Sequence, residues 1–291
     1  MHTTLARSAL ATSNPAAPAP AAAARPALDP RPAVLLLHGL CANPLGLMPL
    51  ARPLREAGHV VETPALAGYG VAVEAARARP QVTPFEHWLE QARDYYDALA
   101  ARHERVAVGG LSMGAVLALG LALRRRPAAL LLLSTPLHFD GWNVSPWRRL
   151  LPLAYALPPL RRRLSFKEGW PYGLKNERLR EWVAQAMQAQ AVSPAGAARL
   201  PADALHQAHR LLRYLRPHLQ HVRAPALVLH ASEDEVAGPR SVRELAARLP
   251  EAEIRWFHDS YHMLTLDNER VAVAQAALHF LQRRLAPPAG A

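Results

Sequence analysis

The chain has 291 residues, with 34 Lys+Arg against 23 Asp+Glu, a formal net charge of +11, and 51% hydrophobic and 20% charged residues. This is the balance of a folded globular protein, and at roughly 100–200 residues per domain it allows one large domain with an insertion, or two small ones, and excludes a small stapled scaffold. Cys41 is the only cysteine, which excludes an intrachain disulfide and a zinc site built on several thiolates, and suits a reducing cytoplasm.

Residues 1–32 are rich in Ala and Pro and lack the uninterrupted apolar stretch of a signal peptide, so they read as a disordered tail. A transit peptide is the weaker reading, because no amphipathic face forms. Beyond the tail, apolar runs at Ala33–Leu37, Arg105–Gly109, Ala128–Leu133 and Ala226–His230 are continuous rather than alternating, as strands buried on both faces require. His59–Glu62 and Glu253–Phe257 are shorter strand candidates. Helical patterns lie between them, the rhythm of an α/β domain around a mostly parallel sheet flanked by helices.

Thr83-Pro84-Phe85-Glu86 reads as a helix start, with Thr83 as cap, Pro84 at the first helical position and Glu86 closing a capping box. Phe85, Leu89, Ala92, Tyr96 and Leu99 mark one face of the helix that follows. Ala115–Leu123 is an apolar helix that stops at Arg124-Arg125-Arg126, far short of the ~20 residues needed to span a bilayer. The last helix is expected to carry Asp267 and Glu269 in its first turn and Arg283 and Arg284 in its last, ending before Pro287.

The stretch from His138 to Leu219 breaks the rhythm with short helical patterns interrupted by Pro146, Pro152, Pro158, Pro159, Pro171, Pro194, Pro201 and Pro217, and it holds Trp142, Trp147, Trp170 and Trp182. The expected organisation is therefore a tail over 1–32, a core in two parts over 33–137 and 221–286, an inserted helical segment over 138–220, and a short tail over 287–291. The positive excess is almost wholly arginine, since Lys167 and Lys175 are the only lysines, and it is scattered among acids. No nucleic-acid-binding signature accompanies it, so no specific nucleic-acid partner is expected, whereas Arg148, Arg149 and Arg161–Arg163 leave room for peripheral contact with an anionic surface.

Gly110-Leu111-Ser112-Met113-Gly114 fits the pattern G-x-S-x-G and stands between a strand candidate and a helix candidate. There it would place Ser112 on a tight turn with strained backbone angles, which the small neighbours Gly110 and Gly114 permit. The Met113 N–H, at the helix start, would point at a developing oxyanion. His38-Gly39-Leu40 follows the first strand, so the Leu40 N–H is the second candidate donor, Gly39 would allow close approach, and His38 reads as a loop-holding residue.

A serine hydroxyl needs a base, and the base needs an acid that fixes its tautomer. Glu233, Asp234 and Glu235 follow one late strand candidate, and His258 and His262 follow the next. The order Ser112, Asp234, His262 is the chain order of α/β-hydrolases, although spacing alone does not choose among the three acids or between the two histidines. Cys41 reads as a small buried hydrophobe, with no base evident to make it a nucleophile.

Taken with Asp234-Glu235 and Ser260-Tyr261-His262-Met263-Leu264-Thr265-Leu266-Asp267, these motifs resemble the carboxylesterase and monoacylglycerol-lipase branch of the α/β-hydrolase superfamily over Ala33 to about Leu285. The resemblance implies Asp234 and His262 as the acid and base, a cap over the site, and no metal or cofactor. Tyr261 departs from the glycine often found before the histidine, and the family's usual first strands have no counterpart in the tail, so a shortened sheet of about six or seven strands is expected. The reading is a cytoplasmic serine hydrolase that cleaves carboxylic esters with an apolar acyl chain, acting on a small molecule. On the same fold a thioesterase, an acyltransferase or a cofactor-free peroxidase-like enzyme is the alternative. From another class, the alternative is a basic membrane-surface or polyanion-binding protein with a vestigial triad.

Overall fold

A computed structural model of the chain describes residues 27–71, 81–145, 151–190, 192–193 and 196–286. The first strand β1 (Ala33–Leu37) leads through α1 (Met48–Glu56), β2 (Val60–Glu62) and α2 (Phe85–Ala100) to β3 (Val106–Leu111), α3 (Met113–Ala122) and β4 (Leu130–Leu133). Between β4 and the next strand of the main sheet lie α4 (Leu151–Ala156), α5 (Pro158–Arg163), β5 (Ser165–Lys167), α6 (Glu177–Gln190), β6 (Val192–Ser193), β7 (Gly196–Ala197), β8 (Arg199–Pro201) and α7 (Ala202–Leu215). The chain then completes the sheet with β9 (Ala226–Ala231), α8 (Pro239–Arg248), β10 (Ala252–Phe257) and α9 (Arg270–Arg284).

Six strands pair in the order β10-β9-β4-β3-β1-β2, every pairing parallel. Because side chains alternate across a strand, β1 feeds two cores: Ala33, Leu35 and Leu37 pack with α2, α3, α7 and α8, while Val34 and Leu36 pack with α1 and α9. Each strand buried on both faces had to be a continuous apolar run. The sheet is thus a middle layer between two layers of helices, and every residue of α3 is buried because neighbouring helices enclose it as well as the sheet.

Three expectations change on contact with tertiary structure. The Thr83 capping box does not form: Pro84 precedes α2, the Phe85 N–H donates to Gln207 Oε1 of α7 (3.2 Å), and Glu86 pairs with Arg210 (2.6 Å). A packed neighbour supplies the cap that the local sequence was expected to provide. The last helix begins at Arg270, so Asp267 and Glu269 precede its first turn and are spent on loop N–H groups instead. Most of the expected insertion stays peripheral, with only short antiparallel pairs β5·β8 and β6·β7, but α7 buries Ala208, Leu211, Leu212 and Leu215 in the same core as α2 and α3.

At the amino-terminal side, Asp29 bridges to His103, its N–H donating to Arg102 O (2.8 Å), so the described end of the tail is tied to the turn after α2. Residues 1–26, Arg148, Arg149, Trp147 and Pro287 lie outside the described residues. Among the described residues no helix is long and apolar enough to cross a membrane.

Candidate active site

Ser112 occupies the turn between β3 and α3 with φ 57° and ψ −127°, in the left-handed region that costs a residue with a side chain. The turn is held by the Ser112 N–H donating to Leu133 O of the neighbouring strand (2.9 Å). It closes because its flanks carry no side chain: a Cβ at Gly110 would overlap the Gly114 carbonyl, and one at Gly114 would overlap Leu37 O and His38 O. At Gly39 a Cβ would meet Leu111 O and Ser112 Cβ at 3.7 Å, an ordinary contact, so close packing against the serine does not itself demand a glycine there.

The loop after β1 is braced from several sides. His38 is buried, its Nδ1–H donates to Gly39 O (2.8 Å), and its Nε2 accepts from the Leu66 N–H (3.2 Å). Desolvation pushes its pKa down to about 4, so it is neutral and serves as a brace. Tyr69 donates its hydroxyl to His38 O (2.9 Å), and Cys41, with φ 52°, donates its N–H to Tyr69 O (2.9 Å). The Cys41 thiol is buried and its pKa pushed up to about 12 by desolvation, which makes it an inert apolar group. The N–H groups of Leu40 and Met113 have no acceptor among the described residues; for Met113 this follows from its place as the first residue of a helix.

Asp234 and His262 arrive from the carboxyl ends of β9 and β10. The Asp234 carboxylate accepts the N–H groups of Val236 (2.9 Å) and Ala237 (2.8 Å) through Oδ1, and the His262 Nδ1–H lies 2.9 and 2.8 Å from its two oxygens. On the other side of the ring, His262 Nε2 accepts the Ser112 hydroxyl at 2.8 Å. Burial opposes charge on both groups, but each outweighs that penalty for the other: the Asp234 pKa is lowered, and that of His262 is raised to about 9 by Asp234, with Glu235 and Glu168 adding to the pull.

The neighbours that the sequence left as alternatives have other partners. Glu233 pairs with Lys175 (3.1 Å), and His258 is exposed with its Nδ1 on Ser232 Oγ (3.0 Å). Glu235 is buried and accepts the His262 backbone N–H (3.1 Å), with desolvation raising its pKa to about 7. Sequence reasoning missed this second carboxylate as a support for the histidine, because adjacency to Asp234 gave no hint of where its side chain turns. It also missed Asp267, wholly buried, which accepts the N–H groups of Tyr261 (2.8 Å), Lys175 (2.7 Å) and Asn176 (2.8 Å).

The inserted segment is tied to the acid's loop, the loop after β1 and the histidine's loop. The Trp142 indole donates to Glu233 O (2.9 Å) and the Asn143 N–H to Glu235 O (3.1 Å), at the acid's loop. Ala197 donates its N–H to Cys41 O (2.9 Å), beside the donor loop, and Gly173 accepts the Met263 N–H (2.8 Å), beside the histidine. Among the described residues no group of three or more His, Cys, Asp or Glu side chains is arranged to hold a metal ion.

Known proteins resemble this chain along most of its length. The profile of a family described as serine aminopeptidase, S33, matches residues 29–269. The chain is 26% identical to the thermostable monoacylglycerol lipase of Bacillus sp. (strain H-257) over 252 residues, covering 86% of this chain and 90% of the relative. It is also 26% identical to the carboxylesterase of Bacillus subtilis (strain 168) over 254 residues, covering 86% and 92%. In fold it is similar to the monoacylglycerol lipase of Paleococcus ferrophilus, with a TM-score of 0.70 at 19% identity, covering 88% of this chain and 96% of that one. Matched along most of its length, this chain belongs to the S33 serine aminopeptidase family and has the α/β-hydrolase fold.

Proposed function

We propose that this protein hydrolyses carboxylic esters with an apolar acyl chain, with Ser112 as nucleophile, His262 as general base, Asp234 as the acid that orients it, and the Leu40 and Met113 N–H groups as oxyanion donors. The reading is carried by one observation: a continuous chain of hydrogen bonds from Ser112 Oγ through His262 to Asp234. In that arrangement His262 takes the serine proton as Oγ attacks the carbonyl carbon, and the oxyanion forms where the two N–H groups can receive it. Proton return from His262 releases the alcohol, and a water activated by the same imidazole cleaves the acyl-enzyme. Every step is proton transfer and acyl transfer, so the reaction calls on no cofactor.

The inserted segment acts as a cap in this reading, supported by its hydrogen bonds to the loops of Asp234, His262 and the Leu40 donor and by the exposed apolar side chains Leu153, Leu157 and Trp170. The two curated relatives are named for ester-cleaving activities, which favours an ester over the peptide substrate that the family's description suggests. A lone buried cysteine fits a reducing, cytoplasmic setting. The arginines of α5 and the exposed Trp170 and Phe166 are the features that would touch an anionic interface peripherally.

The test is labelling by a serine-reactive fluorophosphonate, run beside a panel of esters, thioesters and aminoacyl amides. Wild type should label and cleave esters fastest, and Ser112→Ala should do neither. Equal labelling of Ser112→Ala would overturn the triad, and faster cleavage of thioesters or aminoacyl amides would overturn the substrate class.

A further inference from the structure

Strand β9 is buried along its whole length, yet it contains a histidine, and His230 is wholly enclosed. An imidazole taken out of water is costly unless its N–H finds an acceptor. Here Nε2 lies 2.8 Å from Ala237 O, which assigns the proton to Nε2. Desolvation depresses its pKa, so the ring is neutral. The opposite nitrogen, Nδ1, has no hydrogen-bond partner, and neither have the enclosed hydroxyls of Ser134 and Thr135 at the end of the adjoining strand β4. A leucine or valine would fill this place without leaving a polar atom unpaired, so packing does not account for the histidine.

What the ring does hold is the turn that presents Asp234. Ala237 is gripped twice: its N–H donates to Asp234 Oδ1 (2.8 Å), and its carbonyl accepts from His230. The same Nε2 stands 3.7 Å from Asp234 Oδ2, too long for a second full hydrogen bond but close enough for the N–H dipole to favour the carboxylate. The ring is kept in this orientation by Trp256, its cross-strand partner on β10, packed edge-on at 5.7 Å between centroids and 88° between planes. Asp234 therefore lies between two imidazoles, with His262 bonded in front and His230 bracing the loop behind.

We propose that His230 is a positioning residue for the triad, fixing through Ala237 and the Oδ2 edge of Asp234 the carboxylate that orients His262; the proposal rests on the reading of Ser112, His262 and Asp234 as the catalytic groups. A misplacement of about 1 Å can cost of order 10²-fold in rate. His230→Leu, which keeps the bulk and removes the donor, should thus lower kcat by about 10- to 100-fold with KM within about 2-fold. His230→Gln puts an amide N–H near the place of Nε2, and should recover kcat to within about 3-fold of wild type. The low-field proton resonance of the His262 Nδ1–H should broaden or move in the leucine variant and return in the glutamine variant, a readout that loss of packing alone would not restore.

A leucine variant with wild-type kcat would overturn the proposal, as would a glutamine variant no faster than leucine at equal melting temperature. Should His230→Leu fail to fold, His230→Asn, whose shorter amide does not reach Ala237, takes its place under the same criteria. Fluorophosphonate labelling of Ser112→Ala, run alongside, separates the two ideas. Persistent labelling there would remove the triad and this proposal together, whereas loss of label with an indifferent His230 would remove the proposal alone.

Discussion

The sheet and the segment inserted after β4 handle apolar surface in opposite ways. In β1, β3, β4 and β9 every residue is buried, so the loops at their carboxyl ends spring from a close-packed platform that permits little movement. In the inserted segment Leu153 is 67% exposed, Trp170 58% and Leu157 56%. These side chains add little to stability where they stand. The comparison teaches a division of labour: the packed sheet holds the turns that carry Ser112, Asp234 and His262, and the insertion leaves large apolar side chains exposed. Helix α7 shows where the division falls, since it belongs to the insertion by sequence order and to the core by packing.

The comparison breaks most sharply at the sheet end. Ser112→Ala should lower kcat by about 10³-fold or more, the size expected when a triad nucleophile is removed, and leave the melting temperature close to wild type. Asp234→Asn and His262→Ala should each cost more activity than Glu233→Gln, Glu235→Gln or His258→Ala, because only one acid and one histidine are in line with Ser112. Steady-state kinetics on one ester series would rank them, and a Glu235 variant slower than Asp234→Asn would move the acid by one position.

Stability should divide the regions as clearly as activity does. Leu132→Ala, in the fully buried β4, should cost about 2–5 kcal/mol in denaturant unfolding, whereas Leu153→Ala should stay within about 0.5 kcal/mol of wild type. Similar losses at the two sites would show that the insertion is as tightly packed as the sheet.

A third test uses pH. His262 must be neutral to accept a proton, and its pKa, held down by burial but raised further by Asp234 and Glu235, reaches about 9. Its ordinary value is about 6.5, so kcat/KM should climb with pH to well above neutrality. The linked stability runs the other way: a folded-state pKa above the unfolded one stabilises fully below about pH 6.5 and is lost as pH rises through about 9. Glu235 adds a second step, because its raised pKa favours the neutral form in the fold and makes its ionisation a cost that grows between its ordinary range and about 7. Glu235→Gln should therefore stabilise the protein by about 1–3 kcal/mol at pH 8 but not at pH 4, and move the acid limb of kcat/KM downward. An unmoved limb would show that the Glu235 charge does not reach His262.

The smallest effect per atom concerns the insertion. If it covers the acyl chain, kcat/KM should rise with chain length by up to about 0.8 kcal/mol for each CH₂ buried, and the trend should survive high salt. Equal rates for acetyl and long-chain esters, measured with monomeric substrates free of detergent, would leave the cap without that role. A dependence on salt confined to anionic substrates would instead point to steering by the arginines of α5.

From sequence alone, the strands Ala33–Leu37 and Ala226–His230 and the serine turn at 110–114 were legible to within a residue or so, because continuous apolar runs and glycine-flanked turns are consequences of short-range sterics and burial. Tertiary structure decided what short-range physics leaves degenerate. Three adjacent acids and two nearby histidines have the same local propensities, and only the relative placement of the ends of β9 and β10 puts Asp234 and His262 in line with Ser112. Helix α2 was located by its apolar face, but its cap came from Gln207, far along the chain, because a buried N–H takes whichever acceptor packing brings to it. In the sequence His230 is only the last residue of an apolar strand; its bond to Ala237 and its approach to Asp234 exist only once the turn after β9 folds back over the strand's end.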